Sequence, residues 1–324
     1  MPKEGPLQIR RLRTIAVTAV LVAVASAAAV YVPPRARHRS ENVALGRQWA
    51  DLLEKHSTFS GQQSSPAVEV AFSYAPPTDE NLRRLRETYD LAAIAGDGSE
   101  TERLINLMAW VCRLTGHANE PVIPKELNAF NLIRLATVEH MLINCYMKTV
   151  ILNEVYLAMG WESRWTHLLP HSNEDAASHF VTSVYARTLG KWVLMDPDFG
   201  VYLTDEAGQL LGVSEVRSRL ISGQPLIVND VNAGGRLSTA WESARDFIIG
   251  ADYLWFLTDF MFKIRCPQRS LFNQAAEPNR VYFELIPDGY RDELLQQPKI
   301  TEDGRRTFYL NDEGLFWQDP PAPL

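Results

Sequence analysis

Alternating apolar and polar positions predict three short strands in the middle of the chain. They run from Glu162 to Leu169, from His179 to Ala186 and from Lys191 to Asp196. Each has the period-two pattern and the β-branched and aromatic side chains that are typical of strands. A polar stretch over 170–177 separates the first two, and Thr188–Gly190 marks a turn between the second and the third. The last two strands therefore form a predicted hairpin.

A continuous apolar run predicts a buried helix just before the first strand. Apolar residues dominate the stretch from Cys145 to Met159, and Gly160 follows as a residue that can end a helix in the left-handed conformation. Cys145 therefore falls in or next to the first turn. Backbone amides of a first turn have no partner inside the helix, so they are available to hold an oxyanion.

Three residue types that act together in nucleophilic catalysis stand at the ends of these elements. Cys145 begins the helix, His179 opens the second strand and Asp196 closes the third. The thiolate, not the thiol, attacks a carbonyl, and a helix N-terminus and a neighbouring imidazolium both favour the thiolate form of a cysteine. We therefore predict Cys145 as nucleophile, His179 as base and Asp196 as the acid that orients the imidazole.

Strand register decides whether the histidine and the aspartate can meet. If the turn is the four residues 187–190, Val181 faces Asp196. His179 then shares a sheet face with Asp196 on a diagonal that spans about 7–8 Å between backbones. A shift of one residue would put the two side chains on opposite faces, so the four-residue turn is part of the prediction. Asp198, two residues further on, is expected to be a turn residue only.

This arrangement resembles the transglutaminase-like superfamily of papain-fold thiol enzymes. The resemblance covers about residues 80–210 and rests on Asn144–Cys145, Gly160–Trp165, Ser178–Tyr185 and Gly190–Pro197. In that family a cysteine begins a helix, a histidine opens one strand, and an aspartate followed by proline ends the next. The resemblance implies a Cys145–His179–Asp196 triad in a papain-like α+β core, and acyl transfer at amide bonds that requires no metal or organic cofactor.

Flanking segments extend the predicted α+β domain. Ser99 and Glu102 fit a capping box at the start of a further helix. The stretch Phe247–Phe262 is dense in aromatic residues, which favours a buried or groove-lining helix over the alternative of a substrate wall. The other predicted elements are helices over Asn81–Ala95, Val213–Ile221 and Ser238–Lys263, and strands over Ala67–Tyr74, Val281–Leu285 and Arg306–Leu310.

An uncharged apolar run near the N-terminus predicts a membrane segment. Residues 15–32 are rich in Ala and Val and have basic residues on both sides. Their number is near the lower limit of the roughly 17–25 residues that span a bilayer. We favour a signal anchor with the following domain outside the cytoplasm. The alternative is a cleaved signal peptide with Ala25–Ala27 as the cleavage motif, which gives a secreted or periplasmic protein.

Composition narrows the classes of partner. The net charge is −7, the charges are interspersed and no phosphate-binding loop is present, which argues against a nucleic-acid partner. Three cysteines are too few for a disulfide framework, although Cys112 and Cys266 would allow one pair. The sequence predicts no oligomeric state.

One histidine-rich stretch suggests a metal site as an alternative. His167, His171, Asp175 and His179 recur every four residues and would form a metal face on a helix. Pro170 and the strand-like flanks argue against that helix, so no metal site is predicted.

The predicted organisation has five parts: a basic tail over 1–14, a transmembrane or signal-anchor segment over 15–32, a linker and appendage over 33–79, a transglutaminase-like core over 80–210 and a C-terminal α/β extension over 211–324. The expected function is that of a cysteine peptidase, amidase or acyltransferase, which hydrolyses or transfers acyl groups at amide bonds of a peptide or cell-surface substrate. Two alternatives remain open. One is a non-catalytic binding module in cell-envelope assembly that uses the same cleft. The other is a structural protein in which Cys145 lies far from His179.

Overall fold

Strands from the middle and from the C-terminal part of the chain share one mixed sheet. The computed structural model describes residues 50–61, 69–172, 177–231, 253–290, 294 and 297–321. The strands are β1 (Ser73–Tyr74), β2 (Ser163–Leu169), β3 (His179–Ala186), β4 (Lys191–Asp196), β5 (Val201–Thr204), β6 (Ile227–Asp230), β7 (Lys263–Pro267), β8 (Arg269–Ser270), β9 (Val281–Leu285), β10 (Lys299–Ile300) and β11 (Arg306–Leu310). Within these ranges the main sheet has the order β10-β11-β9-β7-β2-β3-β4-β5-β6, and β1 and β8 form a small separate sheet.

The pairing of β7 with β2 joins the two halves of the described chain. Neighbouring strands of the main sheet are antiparallel, except for β9 and β11, which are parallel. Strands of residues 211–324 therefore flank those of residues 80–210 on both sides. The predicted core and the predicted C-terminal extension share a single sheet.

Helices precede, interrupt and follow the strands, so the fold class is α+β. The helices of the described residues include α1 (Glu80–Thr88), α2 (Leu91–Ala95), α3 (Glu100–Cys112), α4 (Ala129–Thr137), α5 (Cys145–Ala158), α6 (Val213–Ser222), α7 (Tyr253–Asp259) and α8 (Glu313–Phe316). The predicted capping box is confirmed at the start of α3, where Ser99 and Glu102 bond each other's backbone amides. In the part of the chain that the structure describes, no helix is long and apolar enough to cross a membrane. The predicted membrane segment, residues 15–32, lies outside the described residues.

The helix α5 is buried along almost its whole length against β3 and β2. Val150, Ile151 and Val155 on this helix are at most 2 % exposed, and burying each such side chain contributes about 1.5–3 kcal/mol. Side chains alternate across β3: Val184 packs into the core beneath α5, whereas Val181 packs into a second core on the other face of the sheet. The sheet thus holds α5 on one side, whereas α6, α7 and α8 contribute side chains to the core on its other side.

The register of the β3–β4 hairpin is the one that the sequence predicted. Ala186 pairs with Lys191 and Thr182 with Met195. The connection is therefore the four residues 187–190, and Gly190 takes a positive φ of 61° there. Continuing this register places Val181 opposite Asp196, so the geometric part of the prediction is confirmed.

Several element boundaries differ from the predictions. The helix expected over Asn81–Ala95 is wrong as one element, because Asp90 takes a left-handed backbone (φ 46°) that separates α1 from α2. The strand expected over Ala67–Tyr74 is limited, among described residues, to β1. The helix expected over Ser238–Lys263 is helical only in α7, since Lys263 already begins β7, and residues 238–252 lie outside the described residues.

The cysteine pairing that the sequence would allow is not formed. Cys112 and Cys266 are not joined in a disulfide, and both are buried. Cys112 ends α3, whereas Cys266 lies in β7, where its sulfur contacts the hydroxyl of Thr166 at 3.5 Å.

Candidate active site

Cys145 begins α5, as predicted. Asn144 caps this helix: its side-chain oxygen accepts a hydrogen bond from the Met147 amide, and its carbonyl accepts one from the Lys148 amide, both at 3.1 Å. Cys145 is a free, partly exposed thiol, whereas the other two cysteines are buried. The amides of Cys145 and Tyr146 therefore stay at the open end of the helix, beside the sulfur.

His179 opens β3, where its imidazole contacts both predicted partners. Its Nε2 lies 2.6 Å from Oδ2 of Asp196, and the two residues are only 2 % and 0 % exposed. The Cys145 side chain also lies close enough to this imidazole to raise its pKa. Because Nε2 is occupied by the carboxylate, Nδ1 is the ring nitrogen that remains for the thiol. The structure thus brings together the three residues that the sequence singled out.

The electrostatics of this site favour a charged imidazole. Burial by itself disfavours the charged form of His179, but the charge and hydrogen bond of Asp196, together with the contact to Cys145, raise the pKa of His179 well above its usual value. An imidazolium next to a sulfur stabilises the thiolate. The arrangement therefore places a positive charge beside the Cys145 side chain.

Four donors fix the Asp196 carboxylate. Its Oδ1 accepts hydrogen bonds from the amides of Asp198 at 2.9 Å and Phe199 at 3.1 Å. Its Oδ2, besides facing His179, accepts one from the Tyr253 hydroxyl at 2.8 Å. Burial and the nearby carboxylate raise the pKa of Tyr253 well above its usual value, so the phenol keeps its proton and remains a donor. The orientation of the carboxylate, and with it that of the imidazole, is fixed.

Three aromatic side chains pack around the His179 imidazole. The rings of Phe199, Phe256 and Phe260 lie 5.6, 5.1 and 6.5 Å from the His179 ring, measured between centroids. These rings lower the local polarity, which strengthens the hydrogen bond between His179 and Asp196. Phe256 and Phe260 belong to the aromatic stretch noted in the sequence, and its described part contacts the candidate site.

A second buried charge cluster lies one helical turn from the thiol. Asp198 is 1 % exposed, and its carboxylate lies 3.3 Å from Nζ of Lys148 and 2.8 Å from Nδ1 of His117. Burial alone would raise the pKa of Asp198, but Lys148 and His117 hold it below its usual value. The expectation that Asp198 is only a turn residue is therefore wrong. This cluster ties the turn after Asp196 to the helix that carries Cys145.

The histidines that suggested a metal site as an alternative lie on different elements. His167 lies on β2 and stacks on Phe180 at 3.8 Å, whereas His171 packs against Tyr290 at 5.1 Å. Asp175 lies outside the described residues. Among described residues, no group of three His, Cys, Asp or Glu side chains is placed to hold a metal ion.

The sequence assigned no role to Tyr253, Lys148 or His117. For Lys148 a signal was present: a lysine inside a buried helix requires an acidic partner. Tyr253 belongs to the aromatic stretch, but nothing local points its hydroxyl at a carboxylate that is 57 residues away. His117 carries no local signal, since its contact with Asp198 depends on the fold.

Comparison with known proteins found no matching family model, no matching curated protein and no matching solved structure.

Proposed function

We propose that this chain is a transglutaminase-like thiol enzyme that transfers acyl groups from amide bonds. The observation that carries the proposal is the continuous contact from the Cys145 side chain through His179 to Asp196. The fold supports it more coarsely: a buried helix begins at the cysteine and packs against antiparallel strands, which is what a papain-like core requires. The resemblance in sequence order supplies the family.

In the proposed reaction, the sulfur of Cys145 attacks the carbonyl carbon of an amide. The carbon–nitrogen bond of the tetrahedral intermediate then breaks, and the amine leaves with the proton that His179 donates. The product is a thioester on Cys145. Water attacks this thioester, gives its proton to His179 and releases a carboxylic acid, whereas an amine in place of water gives a new amide. Hydrolysis is the proposed outcome.

The remaining parts of the site have supporting roles in this scheme. Asp196 holds the imidazole and stabilises its positive charge, and the Tyr253 hydroxyl holds Asp196 in turn. Amides at the start of α5, those of Cys145 and Tyr146, are the proposed donors to the oxyanion of the tetrahedral intermediate. Lys148 and Asp198 link the nucleophile helix to the turn that carries Asp196.

Trapping the thioester tests this proposal. The purified chain is mixed with a short peptide 4-nitrophenyl ester, and the reaction is quenched with acid. The mass of the intact protein is then measured by mass spectrometry. We expect one acyl group on Cys145, none in Cys145→Ala, and acylation slower by about a hundredfold or more in His179→Ala, because general-base catalysis contributes that much. His56→Ala is the matched control, since it removes an imidazole that packs against His171 and Tyr290 and not against the triad, and it should acylate like the wild type.

The opposite result would favour the binding module. In that case the folded chain would form no acyl-enzyme on Cys145, or would form it equally fast with and without His179. Either outcome would mean that the three residues do not act as a catalytic triad. A peptide that binds such a chain without being cleaved would then identify the cleft as a recognition site.

We further propose that residues 15–32 anchor the domain in a membrane with residues 33–324 on the extracytoplasmic side. The uncharged apolar run supports the anchor, and the slight excess of basic residues before it over those after it supports the orientation. The substrate would then be an amide of a peptide or protein at the cell surface. Membrane fractionation of a C-terminally tagged chain, with protease added to intact cells, tests the proposal. A soluble, shortened chain outside the cytoplasm would instead indicate a cleaved signal peptide.

A further inference from the structure

A pocket opens on the sheet where α5 stops covering it. The pocket has a volume of about 460 Å³. Its floor is one face of the sheet, because Phe180, His167 and Arg265 stand directly opposite one another across β3, β2 and β7. Tyr282, Thr307 and Lys299 form a parallel row across β9, β11 and β10. The pocket is therefore a continuation of the sheet face beneath the helix, past the end that carries Cys145.

Two residues that line the pocket are sequence neighbours of the candidate triad. Tyr146 lines it and directly follows Cys145, and Phe180 lines it and directly follows His179. The rings of these two lining residues contact each other at 4.8 Å. The pocket therefore lies where the chain segments that carry Cys145 and His179 meet, on the face of the sheet that α5 covers.

Positive charge accumulates in this pocket although the chain as a whole is acidic. Its lining includes the cationic side chains Arg265, Arg280, Lys299 and Arg305. Arg265 pairs with the buried Glu284 at 2.5 Å, and Arg305 pairs with Asp303 at 2.7 Å. For Arg280 and Lys299, by contrast, the described residues provide no carboxylate partner. Two of the four cations thus remain available to an anion from outside.

Buried nitrogen atoms that have no hydrogen-bond partner among the described residues also line this pocket. The Nε of Arg280 is buried and has no hydrogen-bond partner among the described residues, while its Nη1 donates to the Tyr146 hydroxyl at 3.3 Å. The Nε2 of His167 is likewise buried and unpartnered within that part of the chain. Burial, Arg265 and His179 lower the pKa of His167 well below its usual value, so this imidazole is neutral. A buried donor without a partner is costly unless a ligand supplies the acceptor.

We infer that this pocket binds a carboxylate carried by the amide substrate, with Arg280 and Lys299 as the residues that recognise it. The aromatic wall of Tyr146, Trp165 and Tyr282 would contact the apolar part of the same residue, and guanidinium groups match the geometry of a carboxylate. The inference rests on the proposed function, because it takes the bound group to be part of the acyl-transfer substrate. The carboxylate comes either from an acidic side chain or from the C-terminus of a peptide.

Binding to a chain that cannot react tests the pocket separately from the reaction. Fluorescein-labelled short peptides that differ only in one residue, Glu, Gln or Lys, each with a free or an amidated C-terminus, are titrated into Cys145→Ala. Fluorescence anisotropy gives the dissociation constants. We expect a carboxylate-bearing peptide to bind more tightly than the neutral amidated peptide, and Arg280→Gln or Lys299→Gln to weaken it by about tenfold each, as loss of one charge-assisted hydrogen bond predicts. Comparison of the affinity of the amidated Glu peptide with those of the free-terminus peptides shows whether the carboxylate comes from a side chain or from the C-terminus.

A surface arginine provides the matched control. Arg83→Gln removes the same charge on α1, outside the pocket, where the arginine is half-exposed and pairs with Glu87, and it should leave the preference unchanged. Equal affinities for all peptides, or an equal loss in the Arg83 and Arg280 variants, would overturn the pocket assignment. Either result can occur while thioester formation on Cys145 is intact, so failure of this inference is distinct from failure of the proposed reaction.

Discussion

Replacing Tyr253 by phenylalanine removes one donor from Asp196 and leaves the ring in place. The hydroxyl lies 2.8 Å from Oδ2 and is fully buried, and its acceptor is a carboxylate. A hydrogen bond to a charged group contributes about 1.5–3 kcal/mol, so we expect the free energy of unfolding to fall by about that amount. The phenylalanine would keep the contacts of the ring with Phe199 at 5.5 Å and Phe256 at 6.3 Å.

The same change should slow acyl transfer from an amide. With one donor fewer, more of the negative charge on Asp196 acts on His179, so the pKa of His179 rises further. Its imidazolium then gives its proton to a leaving amine less readily. Turnover of a peptide 4-nitroanilide should therefore fall, whereas alkylation of Cys145 by iodoacetamide, which needs no proton donor, should not. A substitution that merely loosened the fold would slow both reactions.

Tyr156→Phe is the matched control for this prediction. Tyr156 is equally buried, and its hydroxyl donates at 2.8 Å to a neutral acceptor, the carbonyl of Leu104. Because a bond between neutral groups contributes about 0.5–1.5 kcal/mol, this variant should lose roughly half as much stability in urea denaturation, with no change in the turnover-to-alkylation ratio. Equal stability losses and an unchanged ratio for both variants would refute the role assigned to Tyr253.

The second charge cluster gives two further predictions. Lys148→Met leaves Asp198 buried without its ammonium partner, so urea denaturation should show a loss of about 3–5 kcal/mol; a loss as small as that of Glu87→Gln, which breaks an exposed pair, would contradict the ion pair. The pKa of Asp198 lies below its ordinary 3.8 in the folded chain, so its ionisation stabilises the fold above pH 3.8 and this contribution is lost as the pH falls below that value. The stability difference between wild type and Asp198→Asn should accordingly be constant near neutrality and shrink below pH 3.8, and a difference independent of pH down to pH 2 would contradict the assignment.

Local patterns were sufficient to predict the elements that carry the site. The β3 and β4 boundaries and the start of α5 follow from alternation, a turn glycine and an apolar run, all of which are read within a few residues. Because side chains alternate with a fixed period, the four-residue turn then determined which side chains share a face. The proximity of His179 and Asp196 was therefore predictable without a structure.

The surroundings of the site were not predictable in the same way. Tyr253, Lys148 and His117 act through contacts with residues that are distant in sequence, and no local pattern encodes such partners. The break at Asp90 was missed for a different reason: the apolar positions on either side continue a helical period, and only the backbone conformation of that residue interrupts it. The pocket lined by Tyr146 and Arg280 likewise depends on β7, β9 and β11 joining the sheet after β2.

The rate at which iodoacetamide alkylates Cys145 at pH 7 tests the central claim most directly. A free cysteine is only a few per cent thiolate at that pH, so a thiolate held by the His179 imidazolium should react about tenfold faster than glutathione, after allowance for its lower intrinsic nucleophilicity. The buried Cys112 and Cys266 should stay unlabelled, and Cys145→Ala gives the baseline. The account predicts that His179→Ala abolishes the rate advantage while the fold persists. A wild-type rate no faster than that of glutathione, or one that His179→Ala leaves unchanged, would contradict it.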